Sequence, residues 1–156
     1  FNKHLSILGP EPLSQYFNVS YFKEKIKKRK IFLKDLLMDQ KFVSGLGNIY
    51  VCEALFRSKI NPKKNCSKLV TSKGKPRKDL ILLVQKINEV IKEAIEVGGS
   101  SLRDFSNING KMGYFQSSFN VYNRENEKCL LDCCDGVIKR IIQSGRSTFF
   151  CSKCQK

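Results

Sequence analysis

Four cysteines near the C-terminus constrain this chain more than any other feature. Cys129 and Cys134 stand on one side of the segment Asp135–Phe150, and Cys151-Ser152-Lys153-Cys154 stands on the other. Two such pairs are the donor set of a tetrahedral structural zinc site, each supplying two thiolates from one turn. The sequence between them, Val137-Ile-Lys-Arg-Ile-Ile-Gln-Ser-Gly-Arg-Ser-Thr-Phe-Phe150, reads as a hairpin that turns at Gly145-Arg146 and brings the pairs together. Cys151 and Cys154 form one half of the site. The other half has three thiols for two places. Adjacent Cys133 and Cys134 cannot readily both aim at one ion, so Cys129 is joined by one of them. The length of the gap to Cys151 favours Cys134. The expected ligands of one zinc ion are therefore Cys129, Cys134, Cys151 and Cys154.

Charge narrows what such a module serves. Lys and Arg number 29 against 14 Asp and Glu, a net charge of +15 in 156 residues. That is the electrostatic footprint of a polyanion binder, and nucleic acid is favoured over an anionic membrane. No apolar run approaches the roughly 20 residues that span a bilayer, and no signal-peptide pattern opens the chain. Seven cysteines, with Cys52 and Cys66 far from the cluster, do not form a disulfide framework. They point to a reducing, cytoplasmic compartment. The chain opens at Phe1 without an initiator Met, so a preceding segment is expected.

Helical periodicity dominates upstream. Gly9-Pro10-Glu11-Pro12 marks a connector, and a basic run from Lys23 to Lys34 includes Arg29. Ile31, Leu33, Leu36, Leu37 and Met38 predict a short helix over 31–40. Gly45-Leu46-Gly47 interrupts, and Asn48 reads as the N-cap of a helix through Phe56. Residues 63–78, basic and without an acid, read as a mobile surface loop. Leu80, Leu83, Val84, Ile87, Val90, Ile91, Ala94 and Ile95 make the stripe of a helix over 77–97, ended by Gly98-Gly99. Residues 100–124 carry turn residues and aromatics.

Two positions suit phosphate. Glycines before a helix N-terminus let an anion approach backbone N–H groups, although an ordinary interhelical turn capped by Asn48 has the same sequence. Arg146, at the hairpin turn, can fork two hydrogen bonds to a phosphate. The single histidine, His4, leaves little for histidine acid–base chemistry.

Several of these stretches together resemble the C-terminal half of the formamidopyrimidine-DNA glycosylase family. They are Leu8-Gly-Pro-Glu-Pro-Leu13, Leu37-Met-Asp-Gln40, Gly45-Leu-Gly-Asn-Ile-Tyr50 and Glu53-Ala-Leu-Phe56. The likeness continues through Gly98-Gly-Ser-Ser-Leu-Arg-Asp-Phe105, Gly110-Lys-Met-Gly-Tyr-Phe-Gln116, Val121-Tyr122 and Gly145-Arg-Ser-Thr-Phe-Phe-Cys-Ser-Lys-Cys-Gln155. The resemblance implies a mainly α fold: a helix–two-turn–helix DNA-binding domain followed by a small β-hairpin zinc finger. It implies a connector over 1–22, the DNA-binding domain over 23–117 and the finger over 118–156. It also implies DNA contacts by Arg29, Lys34, Asn48, Tyr50, Arg103 and Arg146. Asn48 and Arg146 would clasp phosphates beside the damaged nucleotide, and Arg146 would donate a proton during δ-elimination. Residues 104–116 overlap the loop that closes over the flipped base.

Two departures stand out. The first cysteine pair of the family is usually C-x2-C, whereas four residues separate Cys129 from Cys134. The nucleophile of the family, an N-terminal proline amine, belongs to a β-sandwich domain with no counterpart here. The expectation is a damaged-DNA-binding half of a bifunctional glycosylase and AP lyase for oxidised purines, monomeric and inactive alone. Its partners would be damaged duplex DNA and a separate N-terminal catalytic half. A stand-alone zinc-containing nucleic-acid-binding module is the alternative.

Overall fold

Apolar side chains one helical turn apart build the larger body, and the cysteine hairpin docks against it. The computed structural model describes residues 7–98 and 119–156. The first helix, α1 (Val19–Ile26), lies where the sequence suggests only a connector and a lysine run. Asn18 caps it by accepting from the Tyr21 N–H at 2.9 Å, and Phe22 and Ile26 form its buried edge. The intervening lysines obscured that spacing because they occupy its solvent face. The preceding segment is stitched down as well. Gly9 N–H donates to the Gln40 carbonyl at 2.8 Å, and Ser44 N–H to that of Pro10 at 2.9 Å. A Cβ on Gly9 would lie 2.4 Å from the Phe42 carbonyl oxygen, so only glycine fits this crossing. Phe42 is the hub of the aromatic core, edge-on to Phe22 at 4.8 Å between ring centres and packed on Phe17 and Tyr21.

Helix α2 (Leu33–Met38) is shorter than the expected 31–40. Its would-be first turn is extended instead: Cys66 N–H donates to the Ile31 carbonyl and Leu33 N–H to that of Lys64. The partner strand of this pairing is part of the segment read as a mobile loop. That segment is folded, with a 3-10 turn over Cys66–Leu69, Cys66 and Leu69 buried, and an antiparallel bridge between Val70 and Pro76. Helix α3 (Asn48–Arg57) and the long α4 (Lys78–Gly98) pack side by side. Leu80, Leu83, Val84, Ile87, Val90 and Ala94 face the interior, while Ile95 is half exposed. The expected glycine stop at Gly99 lies outside the described residues.

The C-terminal module is one antiparallel pair, β1 (Ile138–Gln143) and β2 (Arg146–Cys151), with Gln143 opposite Arg146. The two residues between them, Ser144 and Gly145, have φ of 49° and 78°. Positive φ at both positions matches the twist of the flanking strands, which fixes the register. The described chain is thus a helical domain followed by a small hairpin module. Among the described residues no helix is long and apolar enough to cross a membrane.

Candidate nucleic-acid interface and metal centre

The hairpin is held against α3 by a carboxylate. Glu53, only 2% exposed, accepts from the backbone N–H groups of Asn120, Val121 and Tyr122 at 2.7, 2.9 and 3.0 Å. Three consecutive amides aimed at one anion satisfy a charge that would otherwise be costly to bury. Beside it, Cys52 and Phe56 of α3 share an apolar cluster with Val121, Ile138 and Phe149. The spacing of Cys52, Leu55 and Phe56 announces this helix, but nothing local announces that Glu53 anchors a segment so distant in sequence.

Within the hairpin module the Sγ atoms of Cys129, Cys134, Cys151 and Cys154 all lie within 4.8 Å of one another. A tetrahedral ion with Zn–S bonds of about 2.3 Å requires S···S edges of about 3.8 Å. Cys129–Cys154 and Cys134–Cys151 measure 3.8 and 3.7 Å. The donor set and its spacing fit one structural zinc ion, which these four thiolates would hold. Cys133 is not in the cluster; it is exposed, with φ of 65°. That left-handed residue turns the chain so that Cys134 points back to Cys129. The widened spacing thereby forms a loop without opening the site. Gly136 N–H donates to Cys134 Sγ at 3.4 Å, and Lys153 pairs with Asp135 over the outer face. Without a cation, burial pushes the Cys129 and Cys154 thiols above their ordinary range. Burial acts in the same direction on Cys151, but backbone N–H groups of Cys154 and Lys153 outweigh it and hold that thiol low.

The hairpin tip meets the helices at a cleft of about 390 Å³ lined by Lys34, Asp35, Asp39, Gln40, Gln143 and Arg146, among others. Arg146, the first residue of β2, is exposed there. Three contacts fasten the tip around it. Asn48 Nδ2 donates to the Ser147 carbonyl at 2.9 Å, Ser144 Oγ to Asp35 at 2.8 Å, and Gln143 Nε2 to the Pro62 carbonyl at 3.4 Å. Asn48 is therefore not the N-cap suggested by its sequence position. Gly47 occupies that place, no side chain caps α3, and the Asn48 side chain reaches the hairpin instead. Its Oδ1 is buried without a hydrogen-bond partner.

The remaining expected contacts fall in different settings. Lys34 is no surface cation. It is 1% exposed, and its ammonium donates to Thr148 Oγ1 of β2 at 2.9 Å. Burial pulls its pKa down, against the fields of Cys52 and Asp35. Arg29 is exposed and stands 4.0 Å from Asp39 at the cleft margin. Tyr50 is half-buried between the helical core and Phe119, and burial raises its pKa. Arg103 and the 104–116 loop lie outside the described residues. The arrangement gathers Asn48, Lys34 and Arg146 at one junction, with Arg29 at its edge and two carboxylates within it.

Known proteins share this construction. Residues 8–106 match the formamidopyrimidine-DNA glycosylase H2TH domain, and residues 126–156 match the zinc finger found in FPG and IleRS. Formamidopyrimidine-DNA glycosylases of a Bradyrhizobium species (strain ORS 278) and of Roseobacter denitrificans are 51% and 52% identical over 153 and 155 residues. These alignments cover 98% and 99% of this chain but 52% and 53% of the relatives, so the chain spans about half their length. Among solved structures, Lactococcus lactis Fpg bound to abasic-site DNA superposes with a TM-score of 0.78 at 37% identity, covering 98% of this chain and 52% of that one. The same enzyme with FAPY-dG-containing DNA gives the same four values. With the H2TH match alone covering more than half of its residues, the chain belongs to the formamidopyrimidine-DNA glycosylase family.

Proposed function

We propose that this chain is the damaged-DNA-binding half of a base-excision glycosylase and AP lyase for oxidised purines such as 8-oxoguanine and formamidopyrimidine. The observation that carries the reading is the hydrogen bond from Asn48 to Ser147. It sets the uncapped N-terminus of α3 beside the exposed guanidinium of Arg146. Helix N-terminal amides and a forked guanidinium are complementary to phosphodiester oxygens. Family membership and the DNA-bound structures of relatives support the same assignment.

In this reading Asn48 and Arg146 hold the phosphates flanking the lesion, Arg29 adds a contact at the margin, and Arg146 donates the proton in δ-elimination. The reading also gives DNA contacts to Tyr50 and Arg103. Lys34 acts indirectly, by holding β2 through Thr148. Zinc supplies the rigidity of the module, and the thiolates of Cys129, Cys134, Cys151 and Cys154 hold it. The amine that attacks the sugar comes from a separate or preceding N-terminal half, in a reducing cytoplasmic setting. Lys34, the lysine that lines the cleft, is committed to Thr148 and so is not free to attack.

Duplex binding and borohydride trapping test the proposal together. The 156-residue chain should bind a duplex containing an abasic or 8-oxoguanine site, and Arg146→Ala should weaken it about tenfold or more. Trapping should require the N-terminal half in trans. Equal affinity for single strands would overturn the reading. A covalent adduct with this chain alone would show that the nucleophile lies within it.

A further inference from the structure

The folded segment after α3 builds a second concavity, separate from the Arg146 cleft. It encloses about 1060 Å³, and its lining includes Lys27, Lys64, Lys68, Arg77 and Lys78, with Asp79 the sole acid. Asp79 is engaged by Lys64 at 3.3 Å, and Lys27 stands 3.8 Å from Glu24. Lys68, Arg77 and Lys78 are exposed and have no carboxylate partner among the described residues. The fold itself holds these charges together. Arg77 N–H donates to the Leu69 carbonyl at 2.9 Å and Thr71 N–H to that of Lys75 at 2.8 Å, while buried Leu69 anchors the turn. The side chain of Lys27 closes over Gly74. Like charges fixed around one hollow repel each other, and the positive end of the α4 dipole adds to the field. A multivalent anion relieves that repulsion.

We propose that this concavity binds the phosphodiester backbone of the flank of the same duplex whose damaged site is held at Arg146. The inference rests on the duplex-binding reading above. An extended backbone, rather than a nucleotide, fits the lining: the wall has no aromatic ring on which a base could stack, and the hollow opens broadly to solvent. Position favours the same duplex. Leu33 N–H bonds the Lys64 carbonyl, and the adjacent Lys34 reaches Thr148 on the strand that starts at Arg146. Those links join the two sites through one packed body, over which a duplex turn of about 34 Å can extend. The flank is held through charge alone, so it contributes affinity without sequence preference.

The test replaces Lys68, Arg77 and Lys78 together by Gln and titrates looped duplexes of about 10 and about 30 base pairs, each with a central abasic site, over salt. All three side chains are exposed, and unchanged helical circular dichroism and melting temperature verify the fold. On the long duplex the slope of log affinity against log salt should fall by nearly three, at about 0.9 per lost phosphate contact. From about 50 to about 200 mM salt, the parent chain would then lose about 40-fold more affinity than the variant. The short duplex should show no difference. An unchanged slope on the long duplex, or an equal drop on both lengths, overturns the inference. Arg146→Ala separates the two claims, because it should weaken both duplexes. A triple Gln variant without effect alongside a weakened Arg146→Ala leaves the lesion site standing and removes only the flank. The converse pattern removes the lesion site.

Discussion

At the scale of single residues, glycine and cysteine geometry decides the metal centre. A Cβ on Gly136 would lie 2.6 Å from Cys151 Sγ and 2.9 Å from Lys153 Cβ. Gly136→Ala should therefore release zinc, read as metal content after gel filtration. Gly145→Ala meets no atom within 4 Å and suffers only its positive φ, a cost of about 1 kcal/mol with zinc retained. The cysteine pattern was legible in the sequence because thiol spacing reports directly on a tetrahedral site. The preference for Cys134 over Cys133 was legible from the gap to Cys151, whereas the left-handed turn at Cys133 that makes room for it was not. Asn48 shows the limit of local reading. A side chain that suits a helix cap found its acceptor on Ser147, far away in sequence, and no local rule anticipates such a partner.

At the scale of elements, buried and half-buried charges join parts that propensity describes separately. Glu53→Ala would strand the amides of Asn120, Val121 and Tyr122, costing on the order of 3 kcal/mol. Urea unfolding should show the loss, with the hairpin module loosening first. A second tie, Arg57 to Glu93, is a two-pronged bond at 2.6 and 2.7 Å between α3 and α4. The Arg57 guanidinium, by hydrogen bond and charge, holds the Glu93 carboxyl below its ordinary pKa of 4.5. A carboxyl depressed in the folded state adds stability above its unfolded pKa, and that increment disappears as pH falls through the folded value. Glu93→Gln should thus lower stability near neutrality and flatten its decline below about pH 4.5. Because half of Glu93 faces solvent, the difference should stay under about 1 kcal/mol. Helices α2, α3 and α4 were legible from their apolar stripes. Helix α1 was hidden by its lysines, and the pairing of Ile31–Leu33 with Lys64–Cys66 was hidden because the first segment reads as the start of a helix and the second as loop.

At the scale of the whole molecule, the two largest apolar clusters among the described residues divide the labour. The larger lies wholly within residues 17–90, and the smaller joins α3 to the cysteine hairpin. Chelation should therefore unfold the hairpin while leaving the helices folded. Backbone amides of Ile138–Cys151 should lose exchange protection as far-ultraviolet helical ellipticity persists. Zinc in modules of this kind contributes on the order of 10–16 kcal/mol, well beyond what a two-stranded ribbon supplies alone. Acid should mimic chelation, since protons compete for the four thiolates. A helical signal that collapses together with the hairpin would show that the larger core depends on the smaller.

The triple fastening of the hairpin tip has a kinetic meaning. Gln143, Ser144 and Ser147 are each tied to the helical body, so the backbone around Arg146 has little conformational entropy left to surrender when a ligand arrives. Ordering a loose loop would tax every association event; a tip already in place avoids that cost. Loosening any one tether, as in Ser144→Ala, should then shorten the residence time of a bound duplex more than it slows encounter, because encounter is governed by the long-range field of the chain rather than by one side chain.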